Sequence, residues 1–361
     1  MRNGSALCEP RSRARFWSMA LLVTAPLLGA CQRSSSEYRP TVVYPGGYPP
    51  GSPAPGTPGA PAPANPATPG APTPTGTGTA AVGASTSAPP PVGGFDPINS
   101  VELNFLRNEA TSILNELVAA LPPLQRGRVQ GIPLLFDPKP GEVNAFASCS
   151  STGKTTMAIT DGLLEIQSQL ARARAHDEVA GTRKTDEYIA LIAKNQQPNQ
   201  PVVRPAAGFF DPAVDVSPHK LGRQRELFDE QTAFVLGHEL AHHYLGHLPC
   251  TGVGALPAME VGRILSDAVP VFNQPIELAA DVSGTNNALT AGFRRGGYKF
   301  TEGGAMLTMQ FFAGVDQMSP IDVIFAFERS HPPPAVRSPV IQQTAAAWRR
   351  TGGAGLPYPL F

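Results

Sequence analysis

The sequence predicts a mostly helical α+β domain with one small β-sheet, and three observations support this prediction. Apolar residues recur at helical spacing in several long segments, and prolines such as Pro122 and Pro249 end these segments. Two short runs, residues 143–148 and 155–160, have the composition of strands and flank a Ser-Ser-Thr-Gly turn, which is typical of a hairpin. A change in composition near residue 95 places the start of the domain at about Asp96.

The first half of this domain, 96–361, is predicted to mix helices with the sheet. The expected elements are a helix over 101–120, a strand over 133–136, the hairpin over 143–160 and a helix over 161–179. Asn99 or Ser100 is expected to cap the first helix, and Asp161 the last. A polar helix and a Pro/Asn-rich loop in residues 182–220 look like an insertion.

The second half is predicted to be helical throughout, and no internal repeat is visible. The expected helices cover residues 222–247, 257–269, 275–291, 301–313 and 335–349.

The N-terminal residues 1–30 are typical of a cleaved leader. Three arginines up to Arg15 precede the short apolar stretch 16–30, which is too short and broken for a good spanning helix. Leu28-Gly29-Ala30-Cys31 resembles a bacterial lipobox, so we expect lipid on Cys31 to anchor the chain to a membrane. The alternative is an ordinary secretory leader with an incidental cysteine. Gln32 is not a retention aspartate, which favours the periplasmic side of the outer membrane.

Residues 31–95 are predicted to be a disordered tether. From Pro40 to Phe95 there is no charged residue, and Pro, Gly, Ala, Thr and Ser dominate. Such a segment buries too little apolar surface to fold, and it would reach roughly 170 Å if extended at about 3.1 Å per residue. It is either a spacer of required length or a linker without one.

Charge and loop composition exclude two classes of partner. The 28 basic and 28 acidic residues balance, so no nucleic acid or other polyanion is expected to bind. Gly153-Lys154-Thr155 resembles the end of a phosphate loop, but Ser148 stands at the position of its first glycine. A strand-like run follows instead of a helix, so we expect no nucleotide.

His238, Glu239 and His242 form a His-Glu-x-x-His pattern in a long predicted helix. At about 100° per residue, His238 and His242 differ by roughly 40° and share one face, where two imidazoles bind one zinc ion. Glu239 lies beside them as the expected general base. The alternative is a set of surface histidines on an amphipathic helix.

Helical phase separates two further histidines from this pair. His243 is about 100° and His247 about 180° away from His238, so both are expected to be structural or solvated. A metzincin needs glycine and histidine where this chain has Leu245 and Leu248, so that class is excluded.

Glu277 and Asp281 are the expected source of the third ligand and its support. They lie four residues apart on one face of a helix with small residues between them. Glu277 would complete a site of two histidines and one glutamate, and Asp281 would accept a hydrogen bond from a ligand imidazole. The alternative is a helix that carries surface salt bridges.

Four motifs occur in a fixed order. They are Asn144-Ala145-Phe146-Ala147 leading into residues 159–164, then His238 to His247, Glu277 to Asp281, and His331-Pro332-Pro333-Pro334 followed by Arg337. Over residues 101–350 they resemble the HtpX and CAAX-prenyl-protease type of zinc metallopeptidases, family M48. Because no later stretch is long enough to span a membrane, the chain is most similar to the periplasmic lipoprotein branch.

The resemblance implies a gluzincin (zincin-like) fold, one Zn²⁺ per chain and a polypeptide substrate. It implies that Asn144, Ala145 and Phe146 border the cleft and bind substrate backbone as an added strand. It also implies that His331 and Arg337 face the zinc and stabilise the developing oxyanion; the alternative for His331 is a turn residue before prolines.

The chain departs from the family pattern after Ala147. Residues 148–153 replace a Gly-rich, apolar continuation, so the resemblance does not extend to substrate preference at this edge. Cys149 and Cys250 are expected to form a disulfide in an exported protein, and two buried free thiols are the alternative.

Three functions are consistent with these patterns. The leading one is an endopeptidase that acts on exported or misfolded proteins of the cell envelope. A non-proteolytic chaperone-like or assembly factor with the same fold is the second. A zinc hydrolase of a non-peptide substrate is the third, and the four motifs in order argue against it.

Overall fold

The computed structural model of the chain describes residues 96–254, 274–318 and 331–355. The expected leader, Cys31, the tether and the helix over 257–269 lie outside the described residues. The helices are α1 (Leu103–Ala120), α2 (Pro123–Val129), α3 (Asp161–Ala180), α4 (Lys184–Asn195), α5 (Pro212–Asp215), α6 (Pro218–Tyr244), α7 (Gln274–Arg294), α8 (Gly303–Met318) and α9 (Pro334–Arg350). Within these ranges no helix combines the length and apolarity needed to cross a membrane.

The sheet has three strands: β1 (Leu134–Asp137), β2 (Ala145–Cys149) and β3 (Thr155–Thr160). Their order is β1-β3-β2, with β3 parallel to β1 and antiparallel to β2. Every residue of β3 is buried, as expected for the central strand. The prediction of a mostly helical α+β domain with a hairpin is therefore confirmed.

Helix α6 passes through the centre of the domain. It packs against α1, α3, α7 and α8, and every residue from Leu227 to Tyr244 is buried. A helix buried on all sides needs partners for its polar groups. Glu230, for example, accepts hydrogen bonds from the backbone N–H groups of Thr301 (3.0 Å) and Gly304 (3.1 Å) at the start of α8.

Two glycines allow α7 to approach α6 closely. A Cβ on Gly284 would lie 2.7 Å from the backbone nitrogen of His238, and one on Gly237 would lie 3.1 Å from the carbonyl oxygen of Gly284. Glu277 and Asp281 lie about two turns and one turn before Gly284, at 3.6 residues per turn. The close approach therefore brings both carboxylates against His238.

The cap of α1 differs from the prediction. The carboxylate of Glu102 accepts a hydrogen bond from the N–H of Phe105 at 2.7 Å, so Glu102 replaces Asn99 or Ser100 as the N-cap. The side chain of Asn99 instead accepts a hydrogen bond from the buried ammonium group of Lys220 at 2.8 Å.

The predicted cap of α3, Asp161, is wrong by one residue. The hydroxyl of Thr160 accepts a hydrogen bond from the N–H of Leu163 at 3.1 Å, and Thr160 is the N-cap. Asp161 is the first helical residue, and its carboxylate forms an ion pair with Arg107 at 2.5 Å.

Part of the segment 182–220, the expected insertion, packs into the core. Tyr188 and Ile192 of α4 are fully buried, and α4 packs against α3 and α8. The apolar face of α4 explains this packing, because a polar helix with one apolar stripe buries that stripe.

Candidate metal centre

Helices α6 and α7 bring the three candidate ligand side chains together in the interior. The Nε2 atoms of His238 and His242 lie 3.2 Å apart, and the Glu277 carboxylate lies 3.3 Å from the first and 3.5 Å from the second. At bond lengths of about 2.0–2.1 Å, the donors of a tetrahedral zinc site are about 3.3 Å from one another. The three observed separations therefore fit a zinc ion.

The hydrogen bonding of the carboxylates also fits a cation. Neither side-chain oxygen of Glu277, nor Oε1 of Glu239, has a hydrogen-bond partner in the described part of the chain, although both residues are buried. A buried carboxylate without a partner is costly, and a metal ion satisfies it.

The charges of the site point to a divalent ion. Three buried carboxylates, those of Glu239, Glu277 and Asp281, are accompanied by one buried guanidinium, that of Arg337. With neutral imidazoles the net charge is −2, which is unfavourable in the interior. One Zn²⁺ would bring the buried charge to zero.

Asp281 supports His238 on the side away from the other ligands. Its Oδ1 atom lies 2.9 Å from Nδ1 of His238. The Arg337 guanidinium holds the same carboxylate, with Nη2 2.7 Å from Oδ1 and Nε 3.0 Å from Oδ2. Burial alone would raise the pKa of Asp281, but Arg337 and His238 outweigh it and hold that pKa well below its usual range. Asp281 is thus an anionic acceptor that fixes the His238 ring.

Two imidazoles near the site are kept neutral by burial. Burial lowers the pKa of His242 far below its usual value, which suits a metal ligand. Burial also lowers the pKa of His243, whose Nε2 atom donates to the carbonyl oxygen of Thr156 at 2.8 Å. His243 therefore joins α6 to β3 and plays a structural part, as helical phase predicted.

Strand β2 is an edge strand among the described strands, and it contacts α6. The N–H of Asn144 donates to the Thr160 hydroxyl at 3.0 Å, and its carbonyl accepts from the Thr160 N–H at 2.9 Å. Hydrogen-bonded pairs alternate in an antiparallel ladder, so Phe146 also pairs with β3 while Ala145 and Ala147 point their backbone groups towards the edge.

This register corrects the expected substrate contacts. Asn144 and Phe146 direct their backbone groups inward to β3, because they occupy hydrogen-bonded positions of the β2–β3 pair. Ala145, the third predicted residue, occupies an outward position, and Ala147 shares it. A shift of the β2–β3 register by one residue would exchange the inward and outward positions, and amino-acid composition alone does not specify the register.

A disulfide joins Cys149, the last residue of β2, to Cys250. Next to it, the N–H of Thr251 donates to the carbonyl of Gly153 at 2.7 Å, and the N–H of Thr155 donates to the carbonyl of Gly252 at 3.0 Å. The hairpin is thereby attached to the segment that follows the metal-binding helix.

The model of peptidase family M48 matches residues 134–345, which is more than half of the 361 residues. The chain belongs to peptidase family M48. This is the family that the four motifs resemble, and its members are zinc metallopeptidases, so the chain is a metallopeptidase by family. No curated protein and no solved structure matches the chain.

The M48 match includes His331, which the structure places at the metal centre. Its Nε2 atom lies 3.4 Å from Oε1 of Glu239 and 3.7 Å from Oε2 of Glu277. Together with His238 and Glu277, it offers ligand atoms that all lie within 4.8 Å of one another. His331 therefore stands at the side of the site where Glu239 lies.

Arg337, which also lies within the M48 match, has a different position from the expected one. Its Nη2 atom is 3.2 Å from Nδ1 of His238, on the ring edge opposite the ligand nitrogen, and its guanidinium lies against Asp281. The expectation that Arg337 faces the zinc is wrong for this geometry, because the buried carboxylate of Asp281 draws the guanidinium behind the ligand. Arg337 instead supports the pair of Asp281 and His238.

His247 is the residue that sequence reasoning missed. Its Nδ1 atom lies 3.0 Å from Nδ1 of His242, so it contacts a ligand imidazole. The phase argument assumed that the helix continues to residue 247, whereas α6 ends at Tyr244 and Gly246 has φ +80°. Gly246 was the available signal, because glycine just beyond the last turn commonly ends a helix.

Proposed function

We propose that this M48 peptidase is a zinc-dependent endopeptidase that hydrolyses exported or misfolded proteins of the cell envelope. The observation that carries the proposal is the convergence of His238, His242 and Glu277 on one point, with the Glu239 carboxylate beside them. This set supplies three ligands and a base, which is the composition of a catalytic rather than a structural zinc site.

A zinc ion held by His238, His242 and Glu277 would act as a Lewis acid and make a water molecule acidic near neutral pH. The Glu239 carboxylate would accept the proton of that water and then deliver it to the leaving amine. His331, whose Nε2 atom lies 3.4 Å from Oε1 of Glu239, would donate a hydrogen bond on the same side to the developing oxyanion.

The substrate would lie along β2 as an added strand. The backbone groups of Ala145 and Ala147 that point away from β3 would pair with the substrate. Because these two residues are 0% and 1% exposed, a substrate would reach them only after this edge is uncovered. Such binding requires an extended substrate backbone and depends little on the substrate's sequence, which suits unfolded proteins as substrates.

The cellular location that we propose is the periplasmic side of the outer membrane, with lipid on Cys31. The disulfide between Cys149 and Cys250 supports an exported catalytic domain, since disulfides persist mainly in oxidising compartments.

The test compares wild-type protein with Glu239→Gln, using casein as an unfolded substrate. The variant is expected to bind one zinc per chain but to cleave at least about 100-fold more slowly, because the base is lost. A zinc chelator is expected to stop wild-type cleavage, and added zinc to restore it. Glu226→Gln, in the same helix, is the matched control and should cleave at the wild-type rate.

The outcomes separate the competing functions. Undiminished cleavage by Glu239→Gln would contradict the assigned base. No cleavage by wild-type protein, together with chelator-insensitive suppression of casein aggregation, would favour the chaperone-like function instead.

A further inference from the structure

The chain folds back over the metal site directly after α6. The N–H of Gly246 donates to the carbonyl of His243 at 3.1 Å, and the N–H of His247 donates to the carbonyl of His242 at 2.9 Å. These two bonds, with Gly246 in the left-handed region, form a Schellman motif. The backbone of His247 is therefore fixed to the residue that its side chain also contacts.

The protonation of His242 sets the direction of the side-chain contact. Its Nε2 atom lies 3.2 Å from Nε2 of His238 and 3.5 Å from the Glu277 carboxylate, so Nε2 is the metal-binding nitrogen. A neutral imidazole that uses Nε2 as a ligand carries its proton on Nδ1. That proton points along the 3.0 Å contact to Nδ1 of His247, which must accept it and carry its own proton on Nε2.

We infer that His247 is a positioning residue of the metal site, which holds the His242 ring through an Nδ1–H to Nδ1 hydrogen bond. The inference rests on the proposed zinc site. In this arrangement each proposed ligand histidine has its own hydrogen-bond acceptor: Asp281 accepts from His238, and His247 accepts from His242. Acceptors of this kind fix the tautomer and the orientation of metal-binding imidazoles.

A neutral acceptor suits His242 better than a second carboxylate would. Glu239, Glu277 and Asp281 already bring three negative charges, against Arg337 and one divalent ion. Another buried carboxylate would leave the site with a net negative charge and a desolvation cost. An imidazole provides the acceptor without that charge.

The segment that carries His247 is held at both ends. The Schellman motif fixes its start, and three residues later Cys250 is joined to Cys149 by the disulfide. A short segment anchored in this way presents the imidazole in a defined place, as a positioning role requires.

The experiment compares His247→Asn with His247→Leu in the full-length protein. The side-chain oxygen of asparagine takes the place of Nδ1 and accepts a hydrogen bond, whereas leucine has a methyl group there. We expect His247→Leu to weaken zinc binding about 10–100-fold in competition with a chromophoric chelator, and His247→Asn to recover most of this loss. The visible spectrum of the cobalt-substituted protein should shift in the leucine variant alone.

Each result has a distinct meaning. Equal zinc affinity of the leucine variant and wild-type protein would overturn the inference, and so would equal losses in both variants, which indicate packing. Failure of wild-type protein to bind zinc would instead overturn the proposed function. Thermal unfolding of all three proteins without metal identifies a variant that has failed to fold. His247→Ala then replaces the leucine variant as the one without an acceptor, and His247→Gln replaces the asparagine variant as the one with an acceptor.

Discussion

At the scale of single residues, the site depends on charges that are buried in pairs. Asp281 and Arg337 are 0% and 1% exposed, and their ion pair lies directly behind His238. A buried pair of this kind adds little net stability, but removing one partner leaves the other charge uncompensated. Asp281 and Arg337 should therefore be strongly coupled when they are replaced.

Asp281→Asn is the change that tests this coupling. We expect it to lower the free energy of unfolding by about 3–5 kcal/mol, because the buried guanidinium of Arg337 loses its counter-charge. It should also weaken zinc binding about 10–100-fold, because the remaining acceptor on His238 is neutral. Urea unfolding and chelator competition measure the two effects separately.

The double variant Asp281→Asn with Arg337→Met is the control for the charge. It should recover part of the lost stability while zinc binding stays weak. Additive losses from the two single variants would contradict the coupling, since independent sites add and coupled ones do not.

At the scale of elements, the site depends on how closely α7 approaches α6. Gly284→Ala places a methyl group 2.7 Å from the backbone nitrogen of His238, so one helix must move. We expect a loss of about 1–3 kcal/mol in the free energy of unfolding and weaker zinc binding, because Glu277 and Asp281 move with α7. Urea unfolding and zinc titration measure both.

Gly222→Ala in α6 is the matched control. A Cβ there meets nothing within 4 Å, so alanine should stabilise the helix by up to about 1 kcal/mol. Zinc binding should not change. If Gly284→Ala behaved like this control, the close approach would not position the ligands.

The same scale shows what the sequence determines. Helical phase was sufficient to join His238 with His242 and to separate His243, because all three lie inside α6. Helical phase failed for His247, because the chain leaves the helix and reverses direction at Gly246, so the angle of about 100° per residue no longer applies. The sequence predicted the hairpin but not its register, because buried residues occur in both the inward and the outward set of β2.

Arg337 shows a second kind of failure. Its motif was identified correctly, but the motif did not specify which side of His238 the guanidinium occupies. That choice is made by the long-range pairing with Asp281, which lies 56 residues earlier in the chain. Contacts of this kind depend on the packing of α9 against α7, and spacing along one helix does not reveal them.

At the scale of the whole molecule, a disulfide links the edge strand β2 to the segment that follows α6. The disulfide spans 101 residues, from the end of β2 to the segment after α6. Closing a loop of this length stabilises a fold by about 2–5 kcal/mol, mainly by restricting the unfolded chain. In the exported location that we propose, this closure would persist, because disulfides persist mainly in oxidising compartments.

The proposed lipid anchor leads to the last prediction. In the full chain, Cys31→Ala should move the protein from the membrane pellet to the soluble fraction of a bacterial host, because two or more acyl chains are what hold such a protein on a bilayer. Cleavage of soluble casein should continue at the wild-type rate, since the proposed metal ligands all lie in α6 and α7, far along the chain from Cys31. Cys8→Ala is the matched control, because residue 8 would be removed with the leader. Release of the Cys8 variant, or retention in the pellet of a Cys31 variant whose leader has been removed, would contradict anchoring through Cys31.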